Sequence, residues 1–188
     1  MSRAFVDETD DNLSEADIPK LRIPLPEGVK NYVTPEGAAT SRKEFEELSR
    51  TVRPALASQV SKDVTDGATT DSDAVADPEL VRASRRKLRA VDRRIEYLTE
   101  MIGRMEIIDP KQQTPDRVRF GATVTVTENG REERVFRIVG VDESDPKRGY
   151  ISWVSPLAMA LLSHSSGDTV KTTLPRGEAA FRILKISY

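Results

Sequence analysis

Val81, Ser84, Leu88, Val91, Ile95, Leu98, Ile102 and Met105 recur at alternating spacings of three and four, and that rhythm constrains the chain more than any other feature. Seven of the eight are apolar, which makes the series one seam of a coiled coil. Asp77-Pro78-Glu79 reads as the start of the helix that carries it: a side-chain cap, a proline where no backbone donor is needed, and an acid beside the positive helix end. Asp109-Pro110 closes it. A helix of roughly 28 residues rises about 40 Å, too long to be covered by a body built from what remains of the chain. It needs a second helix.

That helix is expected from Thr34-Pro35-Glu36, where Thr34 caps and Pro35 takes the first helical position. Phe45, Leu48, Val52, Leu56 and Val60 supply its apolar stripe. Pro54 interrupts the pattern and predicts a kink or local break, because an interior proline costs on the order of 3 kcal/mol. The two helices form an antiparallel hairpin over 34–110, whose tip is the stretch 63–79. The tip contains Asp63, Asp66, Asp71, Asp73, Asp77 and Glu79 and no lysine or arginine. Residues 1–33 read as an acidic, proline-punctuated extension without a core of its own.

From Arg117 the period changes to two. Val118, Phe120, Thr123–Thr127 and Val135–Val141 read as strands around Asn129-Gly130, a tight-hairpin pair. Tyr150–Val154 is a third strand, Ser155-Pro156 starts a short helix over Leu157–Leu162, and two final strands end at Tyr188. The expected fold class is α+β: an N-terminal antiparallel α-helical coiled-coil hairpin followed, over 117–188, by an antiparallel β domain with one short helix. Trp153, Phe120, Phe136 and Phe181 are read as core residues of that domain.

The chain has no cysteine and a single histidine, His164. Disulfides, thiolate zinc sites, cysteine nucleophiles and multi-histidine metal sites are therefore excluded. No apolar run approaches the ~20 residues of a membrane span, and the acidic N-terminus lacks the apolar core of a secretory signal. A cytoplasmic protein with no membrane partner is the expectation. Net charge is −2, so contact with nucleic acid requires a local patch. One exists: Arg82, Arg85, Arg86, Arg89 and Arg93 share a face of the second helix, flanked by Lys87 and Arg94. Such a row is either a phosphate-contacting surface or a solvated helix flank. Asp77, before a proline, is an ordinary cap candidate, whereas Asp71 and Asp73 have no capping duty.

Several segments, in order, resemble one family. They are Tyr32-Val33-Thr34-Pro35-Glu36-Gly37, Arg53-Pro54, Leu88-Arg89-Ala90-Val91-Asp92-Arg93-Arg94-Ile95-Glu96-Tyr97-Leu98-Thr99, Val118-Arg119-Phe120-Gly121-Ala122 and Phe136-Arg137-Ile138-Val139-Gly140. Tyr150-Ile151-Ser152, Ser155-Pro156-Leu157-Ala158-Met159-Ala160-Leu161-Leu162, Gly167-Asp168 and Pro175-Arg176-Gly177-Glu178-Ala179 follow. Over residues 32–188 the chain resembles the GreA/GreB transcript cleavage factors, GreB more closely.

The resemblance implies an FKBP-like C-terminal domain docked at the RNA polymerase secondary channel, and a coiled coil that enters it as a monomeric accessory factor. It implies that tip carboxylates help hold the second Mg²⁺ of the polymerase active centre, so that the polymerase cuts backtracked RNA. It also implies that the arginine row meets the nascent RNA 3′ end. Hard oxygen ligands suit that metal chemistry. Asp71, Asp73 and Asp77 are then the candidate catalytic residues, with Asp73 and Asp77 the candidate metal ligands. The family tip has an Asp-x-x-Glu-Asn-Ala-type pattern; ungapped counting puts its glutamate at Asp77 and its aspartate at Ala74, and a one-residue slip reaches Asp73. That departure keeps open a second reading, a secondary-channel regulator of RNA polymerase that does not promote cleavage. A third is a self-standing interaction module whose coiled coil dimerises or binds another helix.

Overall fold

A computed structural model describes residues 25, 28–65, 78–174 and 177–188. The chain divides into two compact units, one over Arg22–Glu46 and Leu98–Tyr188, the other containing Glu47–Tyr97. The fold is α+β.

In the first of these units, alternation builds the sheet. β3 (Thr123–Glu128) turns Val124 and Val126 inward, both fully buried, and threonines outward. Asn129-Gly130 then reverses the chain with both residues at positive φ, 50° and 71°, the conformation that the expected hairpin turn demands. β4 (Glu132–Val139) returns antiparallel and contributes Phe136 and Ile138 to the core. β5 (Tyr150–Ser152), β6 (Thr169–Leu174) and β7 (Gly177–Ser187) complete a sheet of order β5-β4-β3-β7-β6. The expected antiparallel pairing holds along it except between β4 and β5, which run parallel. The short helix α4 (Pro156–Leu161) is capped by Ser155, whose hydroxyl accepts from the Ala158 amide at 3.3 Å. It lays Leu157, Ala158 and Leu161 on one face of the sheet against Val124, Phe136, Phe181 and Ile183. Phe120, Phe136 and Phe181 are core residues; Trp153 is only partly buried, in a turn rather than a strand, and stacks edge-on to Tyr32 at 5.2 Å.

Two boundaries differ from the sequence reading. Residues 31–33, assigned above to the extension, form β1 (Asn31–Val33), with Asn31 and Val33 buried to 1% and 2% exposure. The second long helix, α3 (Pro78–Gly103), ends well before Asp109, and Met105 belongs to β2 (Met105–Ile107). One cause explains both: β1 and β2 pair in parallel, and the Asn31 side-chain amide donates to the Met101 carbonyl at 3.1 Å, taking up part of the helix end. A partner more than seventy residues away is invisible to local periodicity.

Beside that pair starts helix α1 (Pro35–Glu47). Its first amides are held by Thr34, whose hydroxyl accepts from the Gly37 amide at 3.1 Å. Glu143 completes the arrangement. Its carboxylate accepts from the Thr34 amide and the Gly140 amide, each at 3.0 Å, and from the Thr34 hydroxyl. A Cβ on Gly37 would overlap that carboxylate, so any larger residue there would displace it from its donors.

In the second unit the helix continues as a π-turn, Leu48–Val52, into α2 (Arg53–Thr65). The Arg53 amide donates to the Leu48 carbonyl, and Pro54, which has no amide to give, sits just beyond. The break expected at the proline is thus taken up as one wide turn. Two contacts fix the direction of α2 against α3: Arg53 Nε meets Asp92 Oδ1 at 2.7 Å, and Asp63 meets Ser84 at 2.6 Å. Advancing along one helix means retreating along the other. The pair is antiparallel.

Glu143→Ala should lower stability by about 2–3 kcal/mol, because two backbone donors lose a charged acceptor. In thermal denaturation this reads as a melting temperature lower by about 5 °C or more; an unchanged value would show that the carboxylate carries no load.

Candidate functional site

At ~100° per residue, Arg82, Arg85, Arg86, Arg89 and Arg93 fall within an arc of about 100°, roughly opposite the seam. The burial pattern agrees. Ser84 and Val91 are buried and Val81, Leu88 and Ile95 half-buried, whereas all five arginines are exposed. From Arg82 to Arg93 the row rises about 16 Å.

Glu79, in the first turn of α3, offsets part of this charge: it lies 3.8 Å from Arg82 and 3.2 Å from Arg86. Among the described residues, Arg85, Arg89 and Arg93 form no ion pair. Lys87 is exposed beside them, and Arg94 is turned away over the Tyr97 ring, 5.1 Å from its centroid. A row of guanidiniums on the outer face of a helix can meet a string of phosphates, each contact displacing a condensed counterion. The sequence placed these residues on one face, and the structure adds that the face is open.

The two described acids of the stretch 63–79, Asp63 and Glu79, are each engaged with α3 side chains. Asp63 is only 8% exposed. It accepts from the Ser84 hydroxyl and from the Gln59 side-chain amide, both at 2.6 Å. Asp63 therefore has a structural duty between α2 and α3 and is no exposed tip carboxylate. The signal was present in the sequence: Ser84 is the one polar member of the seam, and Asp63 continues the opposing stripe three residues after Val60. A buried polar group needs its partner, and these two supply each other. Glu79 likewise belongs to α3 and to its arginines.

Asp71, Asp73 and Asp77 lie outside the described residues. Among the described residues no group of three His, Cys, Asp or Glu side chains could hold a metal ion. His164 is exposed, its ring Nδ1 3.2 Å from the Leu162 carbonyl. No helix among the described residues is long and apolar enough to cross a membrane.

Removing either partner of the buried pair should cost about 1–3 kcal/mol. A double-mutant cycle on Asp63→Ala and Ser84→Ala, read by denaturant unfolding, should return a coupling of about 1–2 kcal/mol. Strict additivity would mean that the two side chains do not act together.

Residues 31–107 match the family described as transcription elongation factor, N-terminal, and residues 112–188 match transcription elongation factor, GreA/GreB, C-term. The chain is 37% identical over 158 residues to transcription elongation factor GreB of Yersinia pestis, covering 84% of this chain and 89% of that one. It is 35% identical over 160 residues to transcription elongation factor GreA of Nautilia profundicola, covering 85% and 95%. Among solved structures it is similar to the prokaryotic transcription elongation factor GreA/GreB from Nitrosomonas europaea, at 20% identity and a TM-score of 0.37, covering 85% of this chain and all of that one. An overlap of that size adds nothing to the fold described above.

Proposed function

The chain belongs to the GreA/GreB family of transcription elongation factors, and from that premise we propose that it binds RNA polymerase through the secondary channel and promotes hydrolysis of backtracked RNA by the polymerase active centre. The arginine row on the outer face of α3 is the observation that carries this reading. It is a charged, open surface on a helix whose other face is committed to its partner. Arg85, Arg89 and Arg93, with Arg82 and Arg86 beside them, would meet the phosphates of the nascent RNA 3′ end. Association of this kind is electrostatic and weakens with salt.

Asp71, Asp73 and Asp77 would supply carboxylate oxygens at the reaction centre, with Asp73 and Asp77 toward a Mg²⁺ shared with the polymerase. That ion, when bound, polarises the scissile phosphate and lowers the pKa of attacking water. No metal would be held by this chain alone. Asp63 is left out of this set because it is engaged with Ser84.

A second reading has one specific observation behind it. Ungapped counting sets Asp77 where the family has its tip glutamate, and Ala74 where it has the aspartate. A factor with shortened and displaced tip carboxylates could occupy the same channel and slow nucleotide addition without promoting cleavage.

One assay separates the two: add the protein to a stalled elongation complex and look for short 3′ RNA fragments. The leading reading expects cleavage, reduced about tenfold or more in the Asp71→Ala/Asp73→Ala/Asp77→Ala variant, as loss of metal-directed oxygens would cause. Wild-type protein that inhibits extension yet releases no fragments establishes the second. Reversing Arg85, Arg86 and Arg89 to Glu should raise the concentration needed for half-maximal effect by about 10-fold or more and flatten its dependence on salt. An unaltered response would remove the row from the interface.

A further inference from the structure

We propose that the sheet face opposite α4 carries an anion-accepting cleft that docks a partner protein's acidic segment, seating a carboxylate side chain next to an aliphatic one. It is formed within the C-terminal sheet alone and does not depend on the role assigned above to the arginine row.

Strand register builds it. Tyr150, Arg137, Thr123 and Ser187 are successive Cα partners across β5, β4, β3 and β7. Residues opposite one another share a face, and this one is not the core face, because Phe136 and Ile138 alternate with Arg137 and point to the core. Val135 stands two residues before Arg137 on the same side, 55% exposed. Next to β5, Asp145 caps a short turn, accepting from the Lys147 amide at 3.0 Å, and Gly149 closes it at φ 73°. A Cβ on Gly149 would lie 2.5 Å from the Val135 carbonyl. Glycine therefore lets this turn lie tight over β4 and brings Arg148 to the rim. The outcome is a cleft of about 310 Å³ lined by Gly121, Thr123, Val135, Arg137, Arg148, Tyr150 and Tyr188.

Its charge is uncompensated. The Arg137 and Arg148 guanidiniums lie 5.5 Å and 4.4 Å from the centroid of the same Tyr150 ring. Arg148 Nη2 also donates to the Tyr150 hydroxyl at 3.0 Å. No carboxylate lines the cleft, and among the described residues neither arginine forms an ion pair. Stacking holds both planar forks in position while most of their N–H groups remain open, the arrangement that accepts a carboxylate by paired hydrogen bonds. The Tyr188 hydroxyl is already used, donating to the Arg117 carbonyl at 2.7 Å and accepting from the Arg119 amide at 2.9 Å.

Two observations favour a peptide over a nucleic acid. The cations converge on one ring instead of following a strand-length track, so they suit one anion and not a run of phosphates. The Tyr150 ring carries guanidiniums where a stacking base would sit, and Val135 offers an aliphatic wall instead.

The test uses the full chain without polymerase. A short fluorescein-labelled peptide of alternating glutamate and leucine, its glutamine counterpart, and a single-stranded oligonucleotide of equal charge are titrated by fluorescence anisotropy. The acidic peptide should bind saturably and its glutamine counterpart should not, while any oligonucleotide binding at the arginine row of α3 should be unchanged by substitutions in the cleft. Arg137→Gln/Arg148→Gln should weaken peptide binding by about tenfold or more. Should that variant melt at a lower temperature, Val135→Glu provides an independent readout by placing a competing carboxylate beside the same arginines, with equal loss expected. Absence of saturable peptide binding, or binding indifferent to these substitutions, overturns the proposal. Tighter oligonucleotide binding that disappears in the same variants reassigns the cleft to nucleic acid. Because transcript cleavage is not measured, either result leaves the function proposed above to stand or fall separately.

Discussion

One carboxylate, that of Glu143, ties the start of the first long helix to the loop that leaves strand β4. It accepts from the backbone amides of Thr34 and Gly140 and from the Thr34 hydroxyl, so three donors otherwise facing a helix terminus or a chain reversal are satisfied at once. The negative charge also sits at the helix end where the peptide dipoles favour it. Around this point the rest of the unit is arranged: Gly37 is kept bare by it, and β1 enters beside it to pair with β2. The start of this helix is fixed by hydrogen bonds to Thr34 and Glu143.

The long second helix answers two opposite demands with one sequence. Its seam must be apolar enough to hold a partner helix, and its outer face must remain charged. A spacing of three and four meets both, because residues seven apart return to nearly the same side. Val91 and Leu98 take the inner line, and Arg86 and Arg93 the outer one. The cost of separating them is low on a rod that presents two sides.

Much of this was legible in the sequence, for reasons that can be stated. The seam of α3, the arginine face, the Asn129-Gly130 reversal and the Ser155-Pro156 cap all depend on residues within a turn or two of one another. Local pattern encodes them fully. What was missed depends on distance along the chain. The parallel pairing of β1 with β2 joins residues 31–33 to 105–107, and it shortens α3 in a way no helical periodicity could announce. Met101 is buried at 2% yet stands off the seam as read. Its carbonyl accepts from Asn31, part of the same long-range junction. Asp63 was counted as one more tip acid because composition cannot distinguish a solvated carboxylate from one that faces a hydroxyl on a neighbouring helix.

The Asp63–Ser84 contact has a further consequence for the chain between Thr65 and Pro78. A polar pair inside an apolar seam is satisfied in only one alignment of the two helices; sliding either by a turn would leave the carboxylate among hydrophobic side chains. The helix ends that bound this stretch are therefore held at a fixed spacing by α2 and α3 themselves. Residues within it can be exchanged without moving its moorings.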